Sequence, residues 1–237
     1  MNDISFNFSS KKVLVVGGSK GIGEEICKQF INSGAYVYCA SRTPCSVKNV
    51  INYVCDVEKE KDIEELFKEI TDVDFCINAV GTNFCDTIEN ISEAEWDRVL
   101  DINLKSFYLV SQKVVKLMKE KGSGRIVNIS SIAGKNKSLV SGVHYTASKY
   151  GVIGLTKQLS KEVAKYDILV NCICPSQTKT EMLDASMSTD QLFELEKGIP
   201  LGRIANTREQ AIPVLFLCSE GASYITGAAL DINGGQL

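Results

Sequence analysis

The chain has 237 residues, 44% of them apolar and 23% charged, with a net charge of -3, so it can bury one sizeable core and carries no basic excess that would attract nucleic acid. Its only histidine is His144, which excludes zinc sites built on two or three histidines, and no metal site is expected. The amino terminus MNDISFNFSSKK has no basic start followed by an apolar run, and no segment approaches the roughly 18 uncharged apolar residues of a membrane-spanning helix, so the expected location is the cytoplasm.

In chain order, 12–16 is a short apolar β-rich run. A glycine turn follows, and then an amphipathic segment over 21–33 with Ile22, Ile26 and Phe30 near one face. The stretches 35–40, 51–55, 73–78, 125–130 and 168–174 read as further strands, each uniformly apolar, with helical patterns between several of them. Such strands joined by helices predict an α/β fold in which one parallel sheet is covered on both faces. Ser92-x-x-Glu95 reads as a capping box with Ile91 as its staple, and Thr207-x-x-Gln210 as a second one. From Ser92 a helical pattern runs almost to Lys121, interrupted near Asp101 to Asn103, and another reaches from about Tyr145 to Lys165. Both carry apolar residues around much of their circumference, which predicts a subunit interface. The nine cysteines are scattered, odd in number and never spaced C-x-x-C, and they read as small buried hydrophobes. The segment 176–206 follows the strand-like 168–174, is rich in Ser, Thr and Met, and reads as a mobile substrate-covering segment.

The turn Gly17-Gly18-Ser19-Lys20-Gly21-Ile22-Gly23 admits two readings. Gly17 to Gly21 fits the G-x-S-x-G elbow of a hydrolase with Ser19 as nucleophile, and Gly17-x3-Gly21-x-Gly23 fits a cradle for a dinucleotide pyrophosphate. An elbow needs an earlier strand for its oxyanion loop, and this turn follows the first strand. The cradle explains each glycine and also the charges. The position about 20 residues on, where an acid usually selects NAD, is occupied by Ser41-Arg42-Thr43, and Arg42 with Lys20 would bind a 2′-phosphate. The expected cofactor is NADP(H). Tyr145-x-x-x-Lys149 then places two side chains one turn apart on a helix, where an ammonium beside the phenol favours its ionised form.

Together these motifs resemble the short-chain dehydrogenase/reductase family over essentially the whole chain, although the usual Thr leading the glycine turn is Val16 here. Cys55-Asp56-Val57 looks like the segment that approaches the adenine, and Asn78-Ala79-Val80-Gly81 stands for the family's N-N-A-G. Asn103, Ser131, Tyr145 and Lys149 align with its catalytic tetrad. The resemblance implies a single Rossmann-type, doubly wound domain spanning 1–237. It implies Tyr145 as general acid, Ser131 as donor to the substrate oxygen, Lys149 on the nicotinamide ribose and lowering the tyrosine pKa, and Asn103 holding a water that feeds protons to Lys149. Ser130 adjoins Ser131, and Ser131 is favoured as the second Ser of I-S-S. Cofactor contacts are implied for Gly17, Ser19, Lys20, Gly21, Ile22, Gly23, Ser41, Arg42, Asp56, Val57, Asn78, Gly81, Tyr145, Lys149, Pro175, Thr178 and Thr180. Asn171-x3-Pro175-Ser176 departs from the family's N-x3-P-G, and Ser176 is strained if the backbone there has positive φ.

Pro200-Leu201-Gly202-Arg203, Tyr224 to Gly227 and Asn233-Gly234-Gly235 resemble the branch that includes 3-oxoacyl-carrier-protein reductases. That likeness implies a homotetramer and a ketone or 3-oxoacyl thioester substrate, with lipid-chain, polyketide, sugar and steroid substrates left open; docking an acidic carrier protein would call on basic residues such as Lys119, Lys121 and Lys165, which match no defined docking pair. A family member that binds NADP without turnover, and a serine hydrolase using Ser19, are the alternatives.

Overall fold

The computed structural model describes residues 5–138, 140–184 and 189–237. Strands and helices alternate except between the second and third strands: β1 (Lys12–Val16), α1 (Gly21–Asn32), β2 (Tyr36–Ser41), β3 (Ile51–Val54), α2 (Glu60–Glu69) and β4 (Phe75–Asn78) form the first half. The second half is α3 (Glu93–Leu100), α4 (Ser106–Lys121), β5 (Gly124–Ile129), α5 (Val143–Val163), β6 (Ile168–Pro175), α6 (Glu181–Asp184), α7 (Thr189–Lys197), α8 (Thr207–Cys218) and β7 (Ala229–Ile232). All strands are parallel, in the order β3-β2-β1-β4-β5-β6-β7. The order reverses between β1 and β4, and open α/β sheets bind ligands in the crevice at the carboxyl ends of the strands flanking such a reversal.

Alternate residues of each central strand feed two core layers, which is why the runs are apolar without interruption. Val13 and Val15 pack with Ile26, Phe30, Val214 and Leu215 under α1 and α8, and Leu14 and Val16 pack with Ile63, Val110, Val114 and Met118 under α2 and α4. The sheet is therefore doubly wound with helices on both faces, as expected.

Four local expectations change. β3 is an edge strand with a mostly exposed sequence rather than a uniformly buried one, and β7 is an additional edge strand of four residues, too short to stand out. At α3, Ser92 Oγ accepts from the Glu95 N–H at 3.2 Å, but Glu95 turns its carboxylate elsewhere, so only half of the capping box forms. At α8 the box lies one residue earlier: Asn206 Oδ1 accepts from Glu209 N–H, and Glu209 Oε2 accepts from Asn206 N–H. Eight of the nine cysteines are buried, with Cys85 exposed. No described helix is long and apolar enough to cross a membrane.

Candidate active site

The predicted site residues gather along the carboxyl edge of the sheet, most of them just past a strand's end, with Asn103 coming from the turn between α3 and α4 and Tyr145 and Lys149 from α5. The turn after β1 is built by contact. A Cβ on Gly17, which has φ +87°, would lie 2.6 Å from Val80 N, and a Cβ on Gly23 would collide with the Gly17 carbonyl oxygen. Only glycine lets the turn pass this close to the β4 loop and lets α1 start this close to the turn. Lys20 is the N-cap of α1 and supplies no side-chain cap, which leaves the positive end of the helix facing outward. Gly21 lies beneath Thr180, whose Cγ2 would be 3.2 Å from an added Cβ, so the segment after β6 arches over the turn.

Ser41 ends β2 with its hydroxyl donating to Thr43 O, and Arg42 follows, exposed. Lys20 is also exposed, and its Nζ lies 2.7 Å from Glu181 Oε2 of α6. An ion pair that open to water is worth little, and a bound phosphate would displace it readily. Ser19 Oγ accepts from Thr43 Oγ1 at 3.2 Å, and Ile22 is half-buried. Asp56 is engaged locally: its Oδ1 accepts from Glu58 N–H at 3.3 Å and its Oδ2 lies 3.5 Å from Lys59 Nζ. Val57 beside it belongs to the core. Asn78 donates to Asn128 Oδ1, and Asn128 donates in turn to Thr156 Oγ1, while the buried Asn78 Oδ1 has no partner. Pro175 ends β6, and Thr178 Oγ1 donates to Ser176 O. Ser176 is not among the described positive-φ residues, so replacing the family glycine introduces no backbone strain. Residues 185–188 of the predicted covering segment lie outside the described residues. The rest of it forms α6, α7 and the stretch leading to α8.

The tetrad positions are brought together. Asp101–Lys105 forms a π-helical turn, and this places the buried Asn103 inward. Its Oδ1 accepts from Thr82 N–H at 2.8 Å, and its Nδ2 donates to Thr82 O at 2.9 Å and to Ser148 Oγ at 3.2 Å. A Cβ on Gly81 would be 3.7 Å from Lys149 Nζ and 3.8 Å from Asn103 Oδ1, which places all three side by side. Lys149 is 3% exposed, donates to Ile129 O at 3.0 Å, and has no carboxylate ion pair among the described residues; burial lowers its pKa to about 8. The Tyr145 hydroxyl is pushed up by burial and pulled down by its hydrogen bond with Ser131. The expected lowering by Lys149 is thus not the dominant effect, because Lys149 Nζ stands 5.6 Å from the centre of the Tyr145 ring and desolvation acts on both groups. Ser130 Oγ donates to Lys149 O at 2.9 Å, whereas Ser131 is the serine hydrogen-bonded with Tyr145.

Sequence reasoning read Glu95 only as part of a capping box. Its Oε1 lies 3.0 Å from His144 Nε2, and His144 Nδ1 accepts from Tyr145 N–H at 3.0 Å. Both ring nitrogens of the only histidine are occupied, which leaves no base for Ser19 and removes the hydrolase reading. The basic residues offered for carrier docking are also misplaced. Lys121 pairs with Asp72 and Asp74 just before β4, and Lys119 and Lys165 both lie over the Tyr166 ring, at the amino edge of the sheet and away from the tetrad.

A family model described as enoyl-(acyl-carrier-protein) reductase matches residues 16–236. A 3-oxoacyl-[acyl-carrier-protein] reductase of Chlamydia trachomatis is 37% identical, with 96% of this chain and 97% of that one covered. Among solved structures, an actinorhodin polyketide ketoreductase with NADPH superposes with a TM-score of 0.90 at 30% identity, covering 96% of this chain and 97% of that one. A short-chain dehydrogenase from Leptospira borgpetersenii with bound NAD+ does so with a TM-score of 0.91 at 32% identity, covering 100% and 98%. The chain is an oxidoreductase that belongs to the short-chain dehydrogenase/reductase family.

Proposed function

We propose that this protein uses NADPH to reduce a 3-oxoacyl thioester, or a ketone of similar shape, to the alcohol, with Tyr145 as the proton donor. The observation that carries the reading is the convergence of Ser131, Tyr145 and Lys149 beside the glycine turn. The turn fits a pyrophosphate, since Gly17 and Gly23 let it run tight against the β4 loop and the start of α1, and the helix end behind it lacks a side-chain cap. The buried ammonium of Lys149, without a carboxylate partner among the described residues, fits ribose hydroxyls. Arg42 and Lys20 at the outer end favour a 2′-phosphate and hence NADP(H) over NAD(H).

The nicotinamide supplies the hydride. The chain supplies orientation and the proton. Ser131 and Tyr145 present two hydroxyls to one carbonyl oxygen, where negative charge develops as the carbon is reduced. Tyr145, a phenol, is protonated at neutral pH and burial raises its pKa further, which keeps it in the state a donor needs. Lys149 holds its charge beside Asn103, the group from which a water would replace the proton Tyr145 gives up. The tetrad positions are all filled, which argues against a family member that binds the cofactor without turnover.

The three motifs of the carboxyl-terminal part and the curated 3-oxoacyl relative support an acyl chain carried on a thioester, and a carrier protein would have to approach the carboxyl edge of the sheet. Exposed Trp96, Tyr108 and Tyr150 on α3, α4 and α5, with Phe216, Tyr224 and Leu230 near the carboxyl end, favour a homotetramer. A cytoplasmic location completes the reading. Its test is the loss of NADPH absorbance with 3-oxoacyl thioesters and simple ketones, with NADH in parallel. Turnover that prefers NADPH and disappears in Tyr145→Phe is expected, and turnover that survives in that variant would overturn the assignment of the donor.

A further inference from the structure

Three thiols scattered in the sequence meet beneath the glycine turn. Cys27 of α1, Cys39 of β2 and Cys45 of the following loop are buried, and their sulfur atoms all lie within 4.8 Å of one another. Two of them touch the turn itself. A Cβ on Gly18 would sit 2.7 Å from Cys27 Sγ and 2.9 Å from Cys39 Sγ, and Cys27 Sγ donates to Gly18 O at 3.6 Å.

Hydrogen-bond donors surround two of the sulfurs. The Gly18 N–H reaches Cys39 and the Val47 N–H reaches Cys45, while Ser41 Oγ, whose own proton goes to Thr43 O, lies 3.4 Å from Cys39 Sγ. Hydrogen bonding with Cys27, and then these contacts, hold the Cys39 and Cys45 thiols below their usual value, while Cys27 is pushed up by its two sulfur neighbours and by burial. A thiol that gives up its proton readily is the stronger ligand and nucleophile.

Charge and ligand number decide what the cluster takes. Three thiolates around a soft monovalent ion would leave two net negative charges in the core, and around a divalent ion one, and such charge is costly where it has no partner. The charged group that acts on Cys45 is the Glu24 carboxylate, which has the wrong sign to compensate. Zinc also seeks a fourth ligand, and the cluster offers three. A trivalent metalloid avoids both difficulties. When arsenous acid reacts, three As–O bonds break and three As–S bonds form. Each thiol proton leaves on a hydroxide as water, the oxidation state of arsenic is unchanged, and the product is neutral.

We propose that Cys27, Cys39 and Cys45 form a trithiol site that captures one trivalent metalloid of the arsenite class, and that capture disables the adjoining glycine turn. Binding draws three sulfurs from separate elements onto one atom, and two of those sulfurs are packed against Gly18. The effect on the cofactor rests on the dinucleotide reading above. The capture itself does not.

The reduced full-length protein is mixed with equimolar arsenite and weighed intact by native mass spectrometry, and NADPH affinity is followed by nicotinamide fluorescence. Expected is a gain of one arsenic less three hydrogens, lost in Cys39→Ser and in Cys45→Ala and retained in Cys85→Ser. NADPH affinity should fall about tenfold on loading and recover with a competing dithiol. An adduct that keeps a hydroxyl, and so uses two thiols, overturns the site, as does one that persists in the Cys39 and Cys45 variants. The full adduct with unchanged NADPH affinity overturns the link to the turn. A protein that takes up arsenic as expected but binds no NADPH beforehand refutes the dinucleotide reading and leaves the capture standing.

Discussion

His144 Nε2 and Glu95 Oε1 are 3.0 Å apart, a bond that pins the start of α5 to the first turn of α3 directly beside Tyr145. His144 is wholly buried and also receives the Tyr145 N–H, so Glu95 fixes the ring, and the ring fixes the backbone that carries the hydroxyl. Glu95→Ala leaves a buried N–H without a partner and should cost about 2 kcal/mol of stability. It should also lower kcat while leaving the KM for NADPH near its original value, because the cradle lies on other elements. Glu95→Gln keeps an acceptor and should restore most of both. Thermal melts and steady-state kinetics of the two variants check this, and a loss confined to KM would refute a positioning role.

The order of these elements and the tetrad were legible because their signals are local: uniform apolar runs, a glycine turn whose spacing mirrors its contacts, and Tyr145 one helical turn from Lys149. What escaped was set by distant partners. Ser92-x-x-Glu95 has the spacing of a capping box, but His144, 49 residues on, claims the carboxylate. At α8, Asn206 won the cap over Thr207 because Glu209, not Gln210, sits three residues after it. β7 reads ALDI, and its strand character comes from pairing with β6 rather than from its own pattern. The meeting of Cys27 with Cys39 and Cys45 depends on how α1 packs on β2, which no spacing announces.

Lys20 and Glu181 form an ion pair whose side chains are 67% and 78% exposed, so breaking it should leave stability almost unchanged. The same carboxylate competes with a 2′-phosphate for Lys20. Glu181→Gln should therefore tighten NADPH binding severalfold with no change for NADH, whereas Arg42→Glu should weaken NADPH about tenfold or more and leave NADH similar. Fluorescence titrations with both cofactors separate these outcomes. Equal effects on the two cofactors would show that neither residue reads the phosphate.

Burial raises the pKa of Tyr145 and lowers that of Lys149 to about 8, so the two groups leave their working states at different pH. Reduction needs the tyrosine protonated and the lysine charged. The rate should therefore hold through neutral pH and decline as pH rises through about 8, where Lys149 loses its proton. Tyr145→Phe should reduce the rate by roughly a hundredfold to ten-thousandfold at every pH, the range a positioned proton donor contributes. A pH profile that stays flat well above 8 would refute the part given to the Lys149 charge.

The same burial gives Lys149 a cost in stability, with a definite sign. Its pKa is 10.5 in the unfolded chain and about 8 in the folded one, so the folded state disfavours the ammonium. Below about 8 the group is charged in both states and the full penalty is present. Between about 8 and 10.5 the unfolded chain holds more protons, so this contribution makes stability rise with pH, and above 10.5 the penalty is gone. Lys149 is 3% exposed, and the shift corresponds to about 3 kcal/mol. Lys149→Met keeps an unbranched side chain one atom shorter and removes its charge. Without cofactor, the variant should be more stable than the parent at neutral pH by about 2–3 kcal/mol, with the gap closing towards pH 10.5, and it should have lost its activity. Denaturant midpoints of both proteins across that range decide the matter, since a variant less stable than the parent at neutral pH would mean that the lysine's hydrogen bond to Ile129 O outweighs its desolvation.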